Sequence, residues 1–333
     1  MTQILSPCKK TYSLAAKYIK NGDVVAFPTE TVYGLGADAT NEKAVAKIFE
    51  AKGRPQDNPL IVHLSHPKHI KKYVQGISQS QRALIKAFMP GPISIIFDRN
   101  DKICSNVCAG NTTVAIRVPQ NKVARKFIKH CHRPICAPSA NSSKRPSPTL
   151  AKHVYEDLDE KISAIIDGGQ TDIGIESTVV KISNGVVYIL RPGKITKQMI
   201  EQKTGLVVGT KLNVENLDKV ESPGIKYGHY MPKCDMAIIK TDMYATINKI
   251  YDDQTKQGQK VVILCKEHNK EQYPNKNTVS LGSNSLEASK NLFKVLREVE
   301  DNNDIILAEY IDGGEMAEAL FNRMLKSANG NII

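Results

Sequence analysis

The sequence predicts two α/β domains, a mixed domain over residues 1–205 and a smaller Rossmann-like domain over residues 232–333. The length of 333 residues suits two domains of roughly 150 residues each. Short apolar runs of strand length mix with segments of helical periodicity, irregularly in the first part and in alternation in the last. Residues 206–231 between them have weak periodicity and several turn residues, which predicts a linker.

In the first domain each element follows from its spacing. Residues 11–21 predict a helix that ends near Asn21-Gly22, and the apolar run 23–27 predicts a buried strand. The turn-rich segment 28–36 follows, and helical spacing resumes over 41–51. Further helices are predicted over 67–75, 79–88 and 121–131, and further strands over 60–64, 93–97, 113–118, 163–166, 178–182 and 186–190. Strands and helices that do not alternate strictly predict a mixed sheet.

The second domain alternates strands with helices. Strands are predicted over 236–240, 260–265 and 304–309, and helices over 243–257, 286–300 and 316–328. This βαβαβα order predicts a small parallel sheet. No G-x-G-x-x-G turn is present, so the sequence gives no support for dinucleotide binding there.

The composition is that of a soluble globular protein, with 41% hydrophobic and 24% charged residues. Met1 to Lys20 holds four lysines and no apolar run of signal-peptide length, and no stretch approaches the ~20 apolar residues of a membrane span. We therefore expect a cytoplasmic protein with no membrane partner.

The seven cysteines are irregularly spaced and form no C-x-x-C pair. Free, buried thiols in a reducing compartment are the expected state. The tract His130-Cys131-His132 is the alternative, a metal site, although adjacent residues rarely converge on one ion.

The net charge of +12 is uneven, because residues 1–200 hold 29 Lys and Arg against 15 Asp and Glu. This surplus predicts a polyanionic ligand, either a nucleotide or a nucleic acid. The densest basic stretch lies on one face of the predicted helix and comprises Lys122, Arg125, Lys126, Lys129 and Arg133. A solvated helix face and a weak RNA-binding patch both remain open.

Phosphate binding would need dispersed residues, because the sequence has no Walker A motif. Lys52-Gly53-Arg54 with Asn58 can place two cations on one phosphate chain, although a plain charged loop would have the same composition. Ala137-Pro-Ser-Ala-Asn141 is a second candidate, since Ser139 and Asn141 lie in a tight turn after an apolar stretch.

Other polar residues lie on or just after predicted strands. Thr29, Glu30 and Thr31 follow a buried strand, where α/β proteins place ligand contacts. His63 lies within an apolar strand and is either a core residue or a ligand. Arg117 shares a strand face with Thr113 and needs a buried anionic partner, which is either an acidic side chain or a substrate carboxylate.

These motifs together resemble a known family. Phe27-Pro-Thr-Glu-Thr-Val-Tyr-Gly-Leu-Gly-Ala37, Ile48-Phe-Glu-Ala-Lys-Gly-Arg-Pro55 and Asn58-Pro-Leu-Ile-Val-His63 look like the YrdC-type threonylcarbamoyl-AMP synthases. Ala137-Pro-Ser-Ala-Asn141, Glu176-Ser-Thr178 and Leu190-Arg-Pro-Gly193 match further blocks in the same order. Ser222-Pro-Gly-Ile-Lys-Tyr-Gly-His-Tyr-Met-Pro232 resembles the linker of the two-domain branch.

The resemblance implies a YrdC-like twisted mixed sheet with a positively charged cavity. It also implies formation of threonylcarbamoyl-AMP and pyrophosphate from L-threonine, bicarbonate and ATP, with Mg²⁺ on the ATP phosphates. The product would pass to a transferase complex that modifies adenosine in tRNA. No protein nucleophile is needed, because the substrate carbamate attacks the α-phosphate.

Site residues follow from the same resemblance, motif by motif. Threonine would be surrounded by Thr31, His63, Arg117, Ala137 and Ser177. ATP would be held by Arg54, Asn58, Thr113, Ser139, Ser147, Arg191 and Tyr227. Lys52, Arg54, Ser139 and Asn141 would form the catalytic floor, with no dedicated protein metal site. The linker that carries Tyr227 would close over the nucleotide.

Two other functions are compatible with the basic first half or with the core fold. One is a double-stranded RNA-binding module without catalysis. The other is a carbamoyl-adenylate enzyme of hydrogenase maturation, whose extra zinc-finger regions this cysteine spacing does not match.

Overall fold

The computed structural model describes residues 1–210 and 229–333, which form two compact units. The first unit contains Met1–Ser143, Pro148–Asp172 and the chain from Glu176 to residue 210. The second contains Lys144–Ser147, Ile173–Ile175 and the chain from residue 229 to the end. Most of the predicted linker, including Tyr227, lies outside the described residues.

The first unit is built on one mixed sheet, as the sequence predicts. Its strands are β1 Gln3–Leu5, β2 Val25–Phe27, β3 Gly34–Asp38, β4 Ile61–His63, β5 Ile93–Asp98, β6 Thr113–Arg117, β7 Ile135–Ala137, β8 Ala164–Ile166, β9 Thr178–Ser183, β10 Val186–Arg191 and β11 Val208–Gly209. They are ordered β1-β8-β2-β3-β7-β4-β6-β5-β9-β10-β11. Strand β4 pairs parallel with β6 and antiparallel with β7, so both kinds of pairing meet at the centre.

Helices cover both faces of this sheet. They are α1 Lys9–Lys20, α2 Glu42–Lys52, α3 Gln79–Phe88, α4 Lys122–Cys131, α5 Ala151–Leu158 and α6 Lys197–Thr204, with 3₁₀ helices at Pro67–Lys72 and Ser105–Cys108. Because side chains alternate along a strand, Phe27 of β2 packs with α1 and α4, while its neighbour Ala26 packs on the opposite face in the cluster that includes residues of α2 and α3.

A smaller apolar cluster lies on the central strands β4, β5, β6 and β9. It comprises Ile61, Ile96, Ala115 and Val179. His63 and Arg117 share the strand faces of Ile61 and Ala115, because they lie two residues further along β4 and β6. This face therefore carries the candidate site.

Several elements differ from the sequence prediction. The segment 67–75 is a 3₁₀ helix over Pro67–Lys72, and β1, β3, β7, β11, α5 and α6 were not predicted. Strand β3 reads as a turn because it contains two glycines. Gly36 is required by packing, since a Cβ there would lie 2.8 Å from Ile135 Cγ2 and 2.9 Å from Phe27 Cε1. Glycine thus permits close strand contact here instead of marking a turn.

The second unit has the predicted parallel sheet. Strands β12 Asp235–Ile239, β13 Val261–Lys266, β14 Thr278–Gly282 and β15 Ile305–Glu309 are ordered β12-β15-β13-β14, and all three pairs are parallel. The helices are α7 Met243–Lys256, α8 Ser285–Val299 and α9 Ala317–Ser327, with a 3₁₀ helix at Glu267–Gln272. Strand β14, with its central position partly exposed, was not predicted.

All seven cysteines are free thiols. Cys108, Cys131, Cys136 and Cys265 are buried as expected, whereas Cys8 is exposed. Burial raises the pKa of Cys108 to about 11, so this thiol stays protonated near neutral pH. Cys131 packs inside the core cluster of α1 and α4. Within the described residues no three His, Cys, Asp or Glu side chains are placed to hold a metal ion.

In the part of the chain that the structure describes, the helices lack the length and apolar character needed to cross a membrane.

Candidate active site

The residues predicted to surround threonine are all buried in the first unit. Thr31, His63, Arg117, Ala137 and Ser177 are each at most 4% exposed. The parallel register of β4 and β6 places His63 directly opposite Arg117. On the other side of β4, Ala137 lies opposite Ile61. Three of the five residues therefore lie on adjacent, hydrogen-bonded strands.

Arg117 has an acidic partner that is also buried. Its Nη2 lies 2.7 Å from Oε1 of Glu30, and its Nη1 donates to Oγ1 of Thr31 at 2.9 Å. Glu30 Oε2 also accepts a hydrogen bond from the backbone N–H of Asn121, at the start of α4. Of the two partners that the sequence left open for Arg117, the structure therefore provides the acidic side chain.

Part of the Arg117 guanidinium is still without a hydrogen-bond acceptor. Nε is buried and has no hydrogen-bond acceptor among the described residues, whereas Nη2 lies against the Glu30 carboxylate. A carboxylate accepts two parallel hydrogen bonds from one edge of a guanidinium. Nε of Arg117 is thus available as a donor to a second carboxylate.

The electrostatics of this group follow from burial and from Arg117. Burial alone raises the pKa of Glu30, but the charge and hydrogen bond of Arg117 outweigh it and keep the pKa below its ordinary value. Burial and the nearby Arg117 charge lower the pKa of His63 to about 3. Glu30 is therefore ionised, and His63 is neutral, at every pH near neutrality.

The neutral His63 ring has a defined orientation. Nδ1 lies 3.0 Å from the carbonyl oxygen of Ile61. A carbonyl oxygen only accepts, so Nδ1 carries the proton and donates it, and Nε2 carries a lone pair. The ring also contacts Phe27 edge-on, with 5.9 Å between ring centroids. His63 can therefore present a fixed acceptor to a polar ligand.

Ser177 belongs to a second cluster, at the start of β9. Its Oγ lies 2.9 Å from Oγ of Ser94 on β5, and Arg191 donates from Nε to its carbonyl oxygen and from Nη2 to its Oγ. Gly193 makes this arrangement possible, because a Cβ there would lie 2.4 Å from the backbone nitrogen of Thr178. A residue predicted for threonine and one predicted for ATP therefore meet here.

Lys52 supports the turn that carries the other polar candidates. Its Nζ, at the end of α2, donates to the carbonyl oxygen of Ser139 at 2.5 Å and also to that of Asn141. The next residue, Gly53, ends the helix in the left-handed conformation at φ 59°. The ammonium group thus fixes the turn and brings positive charge to it, a role that the sequence did not predict.

Asn58 lies in the loop between α2 and β4. It is completely buried, and among the described residues neither its Oδ1 nor its Nδ2 has a hydrogen-bond partner. A buried amide left unpaired costs about 1–3 kcal/mol. Arg54, four residues earlier, is half-buried. An incoming polar group would satisfy Asn58.

The three other residues predicted to bind ATP lie in different parts of the chain. Thr113 begins β6 and is half-buried, two positions before Ala115 on the same face. Ser147 is buried in the second unit, and Tyr227 lies outside the described residues.

The sequence indicates Glu30 only as a residue after a buried strand, and it gives no indication of Ser94. The observation that could have identified Glu30 is Arg117, because an arginine on an apolar strand needs a buried anionic partner. Nothing in the sequence marks Ser94 as a site residue, because a serine within an apolar strand is ordinary.

Comparison with known proteins identifies the family. The family model Sua5_yciO_yrdC, described as telomere recombination, matches residues 17–193. A model of the threonylcarbamoyl-AMP synthase C-terminal domain matches residues 195–329. The chain belongs to the threonylcarbamoyl-AMP synthase family, in its two-domain form.

Relatives of full length support this membership. Threonylcarbamoyl-AMP synthase of Pyrococcus abyssi is 38% identical, over 96% of this chain and 94% of its own. The Bacillus subtilis enzyme of the same name is 40% identical, over 100% of this chain and 97% of its own. The crystal structure of P. abyssi Sua5 complexed with L-threonine has a TM-score of 0.91 at 36% identity and covers 100% of this chain and 99% of that one.

Members of the threonylcarbamoyl-AMP synthase family are enzymes of nucleotidyltransferase type, so the prediction of an enzyme is confirmed. The RNA-binding module without catalysis is the wrong alternative for the chain as a whole. The fold prediction, a mixed sheet with a small parallel-sheet domain, is also confirmed.

Proposed function

We propose that this protein forms threonylcarbamoyl-AMP and pyrophosphate from L-threonine, bicarbonate and ATP, for modification of adenosine in tRNA. The observation that carries the proposal is the buried Arg117, whose Nε has no acceptor among the described residues although Glu30 already balances the charge of the guanidinium. It is supported by the synthase names of the relatives and by the threonine complex of P. abyssi Sua5.

Threonine binds in the pocket of Thr31, His63, Arg117, Ala137 and Ser177. Arg117 holds its carboxylate bidentately, and the neutral His63 accepts a hydrogen bond through Nε2. Because His63 carries no charge, it does not repel the ammonium form of the substrate. Glu30 keeps the guanidinium in place between turnovers, so the pocket is preorganised.

ATP binds beside the turn that Lys52 fixes. Asn58 and Arg54 contact the nucleotide from the loop after α2, Ser139 and Asn141 from the turn, and Thr113 and Arg191 from strands β6 and β10. The family resemblance adds Ser147 and Tyr227. Lys52, Arg54 and Arg191 neutralise phosphate charge. Mg²⁺ enters with ATP, since this ion keeps several waters and binds chiefly through substrate phosphates.

The reaction needs positioning and charge neutralisation. The threonine amino nitrogen bonds to the carbon of bicarbonate and water leaves, which gives a carbamate. A carbamate oxygen then attacks the α-phosphorus of ATP, the bond to the β-phosphate oxygen breaks, and pyrophosphate leaves. The cations lower the barrier by stabilising charge on the phosphates.

The product is a mixed anhydride that hydrolyses readily, which favours transfer to a nearby acceptor. We therefore propose a tRNA-modifying transferase complex as the downstream partner, weak RNA contact, and a cytoplasmic location.

Threonine-dependent pyrophosphate release tests this function. The purified full chain should release pyrophosphate from ATP only when both threonine and bicarbonate are present. Omission of either substrate, or replacement of L-threonine by D-threonine, should stop release. Release that is independent of threonine would mean that the chain is an ATP pyrophosphohydrolase and would overturn the proposal.

A further inference from the structure

Ser94 is a buried polar residue of β5 that the reaction steps described above do not use. Its side chain is fully buried. Ile95, the next residue along the strand, packs in the core cluster that includes residues of α2 and α3. Ser94 lies two positions before Ile96, which belongs to the apolar cluster on the candidate-site face of the sheet. Ser94 therefore places a hydroxyl group on that face, between apolar neighbours.

Strand pairing brings Ser94 next to Ser177. Strands β5 and β9 are parallel, with Ser94 opposite Val179. Where the two strands begin, the backbone N–H of Thr178 donates to the carbonyl oxygen of Pro92 at 3.0 Å. The Oγ atoms of Ser94 and Ser177 are 2.9 Å apart, and this is the one side-chain hydrogen bond of Ser94 within residues 1–210 and 229–333. The hydroxyl of Ser94 therefore acts on Ser177.

The two serines together have one proton more than they can share. A hydroxyl group has one proton and two lone pairs. One lone pair of Ser177 accepts the hydrogen bond from Nη2 of Arg191, which donates at 3.2 Å. The bond between the two hydroxyls uses one of their two protons, whichever serine donates it. The other proton has no acceptor in the described part of the chain, although both side chains are at most 1% exposed. An oxygen atom of a ligand would satisfy it.

The substrate atom that fits this proton is the side-chain oxygen of threonine. The threonine carboxylate is assigned to Arg117, and an ammonium group has no lone pair with which to accept. The side-chain hydroxyl oxygen is then the remaining acceptor of the amino acid. Ser177 is the member of the pair predicted to contact threonine, so its proton is the one directed to the substrate, and Ser94 donates to Ser177.

We propose that Ser94 is a positioning residue that sets the selectivity of the enzyme for an amino acid with a side-chain hydroxyl. Donation from Ser94 and from Arg191 occupies both lone pairs of Ser177, so the orientation of its hydroxyl is fixed. A donor that is oriented before the substrate arrives loses little entropy on binding. The proposal rests on the proposed function only in taking L-threonine as the substrate.

Isothermal titration calorimetry of the full chain with L-threonine and with L-2-aminobutyrate, which lacks the hydroxyl, tests the proposal. Ser94→Ala frees the hydroxyl of Ser177 to rotate. It should weaken threonine binding by about fivefold, the typical effect of one hydrogen bond, and leave 2-aminobutyrate binding within about twofold. The preference for threonine over 2-aminobutyrate should fall accordingly. Ser94→Thr keeps the hydroxyl on a residue that suits a strand and should retain the preference.

Steady-state kinetics give a second measurement, which a general loss of stability would not change in the same way. In Ser94→Ala the apparent KM for threonine should rise by about fivefold, whereas those for ATP and bicarbonate should stay within about twofold of the wild type. A larger rise in the KM for ATP or bicarbonate would mean that the proton binds a phosphate or bicarbonate oxygen. That result would overturn the proposal.

Ser289→Ala is the matched control. Ser289 is also fully buried, and its Oγ donates to the carbonyl oxygen of Ser285 in α8 at 2.7 Å. The melting temperature should fall in this variant as in Ser94→Ala, because each loses one buried hydrogen bond. The preference of Ser289→Ala for threonine over 2-aminobutyrate should stay that of the wild type.

Three results of the calorimetry would overturn the proposal. They are an unchanged preference in Ser94→Ala, an equal loss of preference in Ser289→Ala, and a loss of preference in Ser94→Thr. A wild type that does not bind threonine would overturn both this proposal and the proposed function. A wild type that binds threonine with the expected preference but makes no threonylcarbamoyl-AMP would contradict the proposed function alone.

Discussion

The carboxylate of Glu30 lies 2.7 Å from the guanidinium of Arg117, and both side chains are about 95% buried. The pair joins the loop after β2 to the end of β6, and Thr31 completes it. Removal of one partner from a buried ion pair costs about 3–5 kcal/mol, because the other charge is left uncompensated. Glu30 is thus a positioning residue for the proposed threonine site.

Glu30→Gln should destabilise the free enzyme and make its melting temperature depend more strongly on threonine. Gln keeps the shape but leaves the Arg117 charge unbalanced, so the melting temperature should fall by several degrees. Threonine supplies a carboxylate and should restore much of the loss. The rise in melting temperature with threonine should therefore exceed that of the wild type. Glu50→Gln, at an exposed position of α2, is the control and should match the wild type. An equal rise in Glu30→Gln would contradict the role of Glu30.

His63 should make stability depend on pH. Its folded pKa of about 3 lies below the ordinary value of 6.5, so the unfolded chain binds a proton that the folded chain excludes. The resulting stability is present above pH 6.5 and is lost as pH falls toward 3, by at most about 1.4 kcal/mol per unit. Urea unfolding between pH 7.5 and 5 should show the wild type losing this advantage over His63→Gln. A constant difference between the two proteins would show that His63 is not buried in its neutral form.

Much of the fold was predictable because the strongest signals are local. Helix α2 follows from its apolar spacing over 41–51, and the structure shows that the side chain of Asn41 caps its first turn. Strand β3 was missed because Gly34 and Gly36 are local turn signals, and only Phe27 and β7 explain them. In the site, the sequence indicates that Arg117 needs a buried anion. Its pairing with Glu30 could not be predicted in the same way, because the two residues are 87 positions apart in the sequence. The support of Ser139 and Asn141 by Lys52 likewise depends on tertiary packing.

Arg54→Ala should slow synthesis. Loss of one charge-assisted contact to phosphate costs about 1.5–3 kcal/mol, so turnover should fall roughly tenfold or more. Pyrophosphate release under saturating threonine measures it, with Arg82→Ala on the exposed face of α3 as a matched control. Near wild-type turnover with an intact fold would remove Arg54 from the nucleotide site.

Arg117→Lys should change the apparent KM values for the two substrates to different extents. Lysine keeps the charge but loses the planar fork, so the apparent KM for threonine should rise more than that for ATP. Serine, which lacks one methyl group, should be a poor but detectable substrate of the wild type, because a pocket discriminates one methyl by only about 1–3 kcal/mol. If steady-state kinetics show mainly the KM for ATP rising in Arg117→Lys, then Arg117 contacts the nucleotide.

The central claim is tested most directly by mass spectrometry of the product formed from ATP, L-threonine and ¹³C-labelled bicarbonate. The account predicts a threonylcarbamoyl adenylate that carries the ¹³C atom in its carbamoyl group and appears together with pyrophosphate. Formation of AMP or ADP with no adenylate that contains both threonine and the labelled carbon would contradict it.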